Sequence, residues 1–201
     1  MKRSVLALAI GALMFLDAPL AQANIINYVA TLSGPSESPS NASPGTGFAT
    51  VTIDDVLNTM RVQASFSGLV GTTAAAHIHC CTTVALTGTV AVATTLPTFA
   101  GFPGGFTSGI YDNTLDMMLA SSYSPSFVTA HGGTTAQAEA FLFNGLSLGK
   151  SYFNIHTISF PGGEIRGFLT LAPKQVPEPA TLALLGFGLA GLGWSRRKKK
   201  A

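Results

Sequence analysis

Charge, cysteine and helical periodicity are all in short supply. Asp, Glu, Lys and Arg make up 10% of the 201 residues, where a soluble domain averages about a quarter, so a charge-rich disordered chain is excluded. Two cysteines are too few for a disulfide framework. No block of like charge interrupts the middle of the chain, because seven of the eleven basic residues sit at its ends: Lys2, Arg3, Arg196, Arg197, Lys198, Lys199 and Lys200. Between Asn24 and Gln175 four basic residues face seven acidic ones, a net charge of −3. Nucleic-acid binding is thereby left without an electrostatic footprint. Apolar residues are plentiful instead, at 47% with a mean hydropathy of +0.40, and two runs account for the excess, Val5–Leu16 and Ala180–Trp194.

Both runs read as addresses. Lys2 and Arg3, the apolar run, and then Ala21-Gln22-Ala23 form a signal peptide over residues 1–23, cut by a signal peptidase between Ala23 and Asn24. At the other end Val176-Pro177-Glu178-Pro179-Ala180 precedes a short apolar helix, 180–194, and then Ser195-Arg196-Arg197-Lys198-Lys199-Lys200. About fifteen apolar residues only just span a hydrocarbon core, and the basic cluster stays on the cytoplasmic side of the inner membrane. This tripartite end, residues 176–201, resembles the PEP-CTERM sorting signal, whose motif Pro177, Glu178 and Pro179 match. The resemblance implies recognition by an exosortase, membrane anchoring by the C-terminal helix until processing, and delivery to the cell surface or an extracellular matrix.

The residues between, 24–175, form one domain large enough for its own core. Short runs rich in Val, Ile, Thr and Phe alternate with Gly, Pro, Ser and Asn, which predicts an all-β fold, a Greek-key sandwich or partly closed barrel. Strands are expected at Asn27–Leu32, Gly47–Ile53, Met60–Phe66, Ala74–His79, Leu86–Ala93, Thr107–Leu115, Tyr152–Ser159 and Glu164–Leu171. Ser33–Thr46 and Thr95–Gly105 read as surface loops without a site. One short helix is expected over Ala136–Asn144, with Thr134 and Gln137 as a capping box and Gly145 as its left-handed C-terminal residue. The same residues also alternate as a strand would.

The last hairpin carries a register argument. With Pro161-Gly162-Gly163 as a three-residue loop, Phe160 pairs with Glu164, Ile155 with Leu169 and Phe153 with Leu171, giving one continuous apolar face. Tyr152, Asn154, His156, Glu164 and Arg166 then share the opposite face, where Asn154, Glu164 and Arg166 are expected to join His156 in a charged hydrogen-bond cluster.

Ala75-Ala76-His77-Ile78-His79, Tyr152-Phe153-Asn154-Ile155-His156-Thr157 and Pro161-Gly162-Gly163-Glu164-Ile165-Arg166-Gly167 together resemble the CHRD domain first described in chordin. The likeness covers most of residues 27–172. It departs where the family usually continues His-x-His with Gly-Pro, since this chain has Cys80-Cys81. The resemblance implies an extracellular domain with no generally assigned activity; the expected β fold is itself similar to the superoxide-dismutase or immunoglobulin sandwich.

His77 and His79 share one face of a strand, and with His156 they are candidate ligands for copper or zinc. His-x-His on a strand is similar to the way Cu/Zn superoxide dismutase presents two copper ligands, a likeness at the level of fold alone. Against it stands the lack of any acidic residue between Gly68 and Gly109; the competing reading makes the histidines structural partners of Asn154, Glu164 and Arg166. Cys80 and Cys81 could bridge to one another, cross-link chains or lend thiolate to a soft metal; as plain loop residues they would do none of these. No catalytic residue can be assigned. The leading expectation is a non-enzymatic protein that binds or supports an extracellular polysaccharide or surface protein and carries no cofactor. The rival is an extracytoplasmic copper or zinc protein, with superoxide-type redox chemistry as its extension. A carbohydrate-binding module using loop aromatics comes third.

Overall fold

The computed structural model describes residues 24–173. The expected leader 1–23 and tail 176–201, with Pro177, Glu178, Pro179 and the apolar span 180–194, lie outside the described residues. The strands are β1 (Ile25–Ser33), β2 (Thr46–Asp54), β3 (Thr59–Ser67), β4 (Thr73–His79), β5 (Gly109–Asp116), β6 (Tyr152–Thr157), β7 (Ile165–Phe168) and β8 (Thr170–Leu171). They build one curled, half-barrel antiparallel sheet in the order β4-β6-β7-β1-β2-β3-β5, with β8 paired to β1. The all-β class is thus as expected.

Alternation explains which way each strand faces. On β1, Tyr28, Ala30 and Leu32 are buried, and in register with them lie Val51 and Ala49 of β2 and Val62 and Ala64 of β3. Ala76 and Ile78 of β4, Phe153 and Ile155 of β6 and Ile165 of β7 continue this inner face. Two helices close the same core: α1 (Pro125–Ala130) contributes Phe127, and α2 (Thr135–Ser147) contributes Ala138, Leu142 and Leu146, one stripe at four-residue spacing.

The helix expected at 136–144 is α2, and Thr134 caps it, its Oγ1 accepting the Gln137 amide at 3.3 Å; the return half of the capping box is replaced by the Thr134 hydroxyl donating to Gln137 Oε1 at 2.9 Å. Its end differs. The helix runs through Gly145 to Ser147, and the left-handed residue is Gly149 with φ +65°. Gly145 serves another purpose, for a Cβ there would meet the sulfurs of both Cys80 and Cys81.

Leu86–Ala93 is not a strand; within it only Val92 makes a bridge, to His79. Leu86 and Gly88 adopt positive φ, +61° and +85°, which breaks any extended run. The segment instead follows the open edge of β4 together with residues 94–99. Ala93 donates to the Ile78 carbonyl at 2.9 Å and Phe99 to the Ala76 carbonyl at 3.0 Å. The hydroxyls of Thr98 and Thr94 accept the amides of Ala76 and Ile78, both at 2.9 Å. An edge that would otherwise be unpaired is covered by side chains and irregular backbone.

The hairpin register also differs from expectation. Ile155 pairs with Ile165, not Leu169, and Phe153 with Gly167, not Leu171. Phe160 and Glu164 are not strand partners. The strand β6 runs on to pair Thr157 with Thr73 of β4, and the chain then turns back through Phe160 O···N Gly163 (3.0 Å) and Ile155 O···N Glu164 (2.8 Å). Because the slip is an even number of residues, the side chains of the paired β6 and β7 residues keep their expected faces, whereas Leu171, expected on the apolar face, pairs with β1 instead and is 61% exposed. Tyr152, Asn154, His156 and Arg166 all point outward, away from the core.

Candidate metal centre

On that outer face β4 and β6 set three imidazoles together. In register, His77 lies opposite Asn154, Ala75 opposite His156 and His79 opposite Tyr152. His79 is therefore two residues along β4 from His77, and His156 is diagonal to it. The ring centroids stand 4.8 Å (His77–His79), 4.7 Å (His77–His156) and 6.2 Å (His79–His156) apart. One ring nitrogen from each lies within 4.8 Å of the other two.

Each ring is oriented by a carbonyl from a different piece of backbone. His77 Nδ1 contacts the Pro97 carbonyl at 3.2 Å, His79 Nδ1 the Val90 carbonyl at 2.7 Å, and His156 Nδ1 the Pro161 carbonyl at 2.8 Å. A carbonyl only accepts, so each Nδ1 carries the proton and each Nε2 carries a lone pair. All three Nε2 atoms are buried, and none has a hydrogen-bond partner. An unsatisfied buried acceptor costs about 1–3 kcal/mol, and here three are gathered in one place.

Electrostatics keeps these rings neutral. Burial, then the neighbouring His79 and His156, pull the His77 pKa down to about 3 against the pull of the Pro97 carbonyl. Burial likewise brings His79 to about 4, although the Val90 carbonyl opposes it, with His156 and Arg166 adding to the fall. His156 is lowered by burial, with the Pro161 carbonyl opposing. Three neutral imidazoles, each with a free Nε2 lone pair and its Nδ1 held by a backbone carbonyl, are a donor set suited to copper or zinc. Zinc–nitrogen bonds of about 2.0–2.1 Å place tetrahedral ligands about 3.4 Å apart, so an ion would draw the rings together by roughly an ångström.

The expected charged cluster of Asn154, Glu164 and Arg166 with His156 is not formed. Glu164 turns to the strand ends and loops, accepting from Ser43 Oγ and Thr157 Oγ1 at 2.6 Å, Val70 N at 2.5 Å and Gly71 N at 3.1 Å. Burial raises its pKa, but those four donors outweigh burial and hold it below the ordinary value. Arg166 donates to the Ser36 carbonyl at 2.6 Å and the Gly88 carbonyl at 3.1 Å, and lies 4.8 Å over the Tyr152 ring. Asn154 Oδ1 is buried without a partner.

Cys80 and Cys81 are bonded to each other. Among the described residues neither sulfur joins the histidine cluster, since Cys80 points into the core. His131 caps α1 and stacks on Phe141 at 3.7 Å, away from the site.

Sequence reasoning missed the residues that surround the cluster. Ser33–Thr46 supplies Glu37, whose carboxyl is buried with Arg166 Nε 3.7 Å from its Oε2. The other surface loop, Thr95–Gly105, supplies the Pro97 carbonyl, and the supposed strand 86–93 supplies Gly88 and Val90. Backbone carbonyls leave no residue-type signal, and a lone acid in a Pro- and Ser-rich stretch reads as solvated.

Comparison with known families agrees with both resemblances. The family described as CHRD domain matches residues 28–169, and the PEP-CTERM protein-sorting motif matches residues 175–198. The sorting motif implies export, membrane anchoring before sorting, processing by an exosortase and arrival at the cell surface. No curated protein and no solved structure matches the chain.

Proposed function

The chain belongs to the CHRD domain family and carries a PEP-CTERM sorting signal, and from that premise we propose that it is a surface-destined metal-binding protein holding one copper or zinc ion on His77, His79 and His156. The observation that carries this reading is the set of three buried, partnerless Nε2 atoms on rings that each bring a nitrogen within 4.8 Å of the other two. A purely structural histidine cluster would be expected to spend both ring nitrogens on hydrogen bonds, whereas here only the Nδ1 side is spent. The reading is a binding role and not a catalytic one. Each Nε2 is out of contact with solvent, which favours holding an ion over presenting it to a substrate.

The test is metal stoichiometry. The full chain, purified in detergent, is offered copper and zinc, dialysed and analysed for bound metal beside His77→Ala and His156→Ala variants of matched folded content. One ion per chain, lost in both variants, is the expected result. A metal-free parent would end the proposal and return the search to polysaccharide and protein ligands at the cell surface.

A further inference from the structure

Resting on that metal-binding reading, we infer that Glu37 is a positioning residue of the same site, a buried acid that gives up its proton when the ion binds and so makes metal affinity depend on pH. Glu37 comes from the β1–β2 loop, far in sequence from every histidine, and reaches the site from two sides.

The first approach is over Gly163. This residue has φ +126°, and a Cβ built on it would lie 2.6 Å from Glu37 Oε1 and 2.8 Å from both amide atoms of Asn154. Only glycine leaves room for the carboxyl and the amide to converge there. Asn154 is the cross-strand neighbour of His77 and sits two residues from His156 on the same face, so one polar side chain separates the acid from the metal ligands. Glu37 Oε1 and Asn154 Oδ1 are both buried and both lack a donor. A buried carboxyl oxygen with no donor of its own is poorly placed to carry charge, and a proton on Glu37 relieves it.

The second approach is through Arg166, whose Nε is 3.7 Å from Glu37 Oε2. Its guanidinium lies over Tyr152, and Tyr152 stacks on His79 with centroids 4.5 Å apart. Arg166 and Tyr152 are thus the charged and titratable groups that face Glu37 from β7 and β6, and the Ser38 amide faces it from its own loop.

Charge balance then couples the two sites. Three neutral imidazoles bring no negative charge to the ion. With Arg166 already buried nearby, a bound cation adds a second uncompensated positive charge, which an ionised Glu37 answers. In the metal-free protein burial raises Glu37 to about 7 in spite of Arg166 and the Ser38 amide, so below neutrality the acid holds its proton until the ion arrives. Metal binding should therefore carry a carboxyl signature that depends on Glu37.

The experiment is calorimetric titration of the full chain in detergent with zinc, and separately with Cu²⁺, at pH 6 in buffers of different ionisation enthalpy, repeated between pH 5.5 and 8. The expected result is release of about one proton per ion at pH 6. Affinity should rise about tenfold per pH unit and flatten above about 7. Glu37→Gln should bind without proton release and with a flat pH profile, while Glu37→Asp, which keeps the acid, should restore a slope. Glu37→Gln melting profiles and folded content check that the comparison is between folded proteins. Stoichiometric binding by the parent without proton release, or an unchanged slope in Glu37→Gln, overturns this inference and leaves the metal site standing. Failure of the parent to bind either ion overturns both.

Discussion

Arg61 on β3 and Arg166 on β7 both meet a carboxylate on the outer face of the same sheet, but in opposite surroundings. Arg61 and Asp112 are joined by two hydrogen bonds, and their side chains are 51% and 47% exposed. Arg166 and Glu37 approach no closer than 3.7 Å, with side chains 5% and 4% exposed. The first pair sits among Thr52, Gln63 and Thr114 on a plain solvated face, where a good geometry is worth about 0–1 kcal/mol. The second lies where three loops fold over β4, β6 and β7, and its looser geometry matters more because both side chains are cut off from water. Half of the sheet's outer face is ordinary surface. The other half is a second, polar interior, and it is there that the histidines converge.

The largest expected effect comes from acidifying that interior once the opposing Glu37 carboxyl has been removed. His77 and His79 have folded pKa values of about 3 and 4 against about 6.5 unfolded. The unfolded chain therefore binds more protons, and the stability present above pH 6.5 is lost as pH falls towards 4, on the order of 5 kcal/mol from the two. Glu37 works the other way, because its folded value of about 7 exceeds the ordinary 4.5 and favours the fold as pH drops through that window, by about 3 kcal/mol. Urea unfolding of the metal-free chain at pH 7 and pH 4.5 should show a modest net loss. In Glu37→Gln the loss should be steeper by about the Glu37 share, and equal losses in the two proteins would show that the two halves of the sheet do not differ as argued.

Arg166→Ala comes next. It strands the Ser36 and Gly88 carbonyls and leaves Glu37 without its cation, and should lower unfolding free energy by about 3 kcal/mol. Gly163→Ala, which drives a methyl between Glu37 and Asn154 at a strained φ, should cost about 2 kcal/mol, and should weaken zinc binding measured by competition with a chelator. The smallest effect belongs to the exposed pair. Arg61→Ala should change stability by no more than about 1 kcal/mol, and less in high salt. A cost equal to that of Arg166→Ala would erase the contrast.

Much of the frame could be read from alternation. The Val, Ile, Thr and Phe periodicity of β1, β2 and β3 is the inner–outer pattern of the curled sheet, and Thr134 announced the start of α2. The signals that misled share a cause, for in each the residue's role is set by a distant neighbour. Gly145 sits inside a helix to clear two sulfurs, and Leu86–Ala93 looks extended but spends its carbonyls on Arg166 and His79. The hairpin was misaligned because β6 continues along β4 before turning. Of the site, His77, His79 and His156 were visible as a pattern, since His-x-His on a strand fixes a shared face and the even register slip preserved the position of His156. Glu37 and the carbonyls of Val90, Pro97 and Pro161 were not, because loop topology alone brings them there.

The most direct measurement is nitrogen-15 spectroscopy of the histidine rings in the full chain, before and after one equivalent of zinc. The account predicts that His77, His79 and His156 are neutral Nδ1–H tautomers at pH 7 without metal, and that zinc shifts their three Nε2 signals together while the Nδ1 protons stay in place. An Nε2–H tautomer at any of the three, or three rings indifferent to zinc, would contradict it.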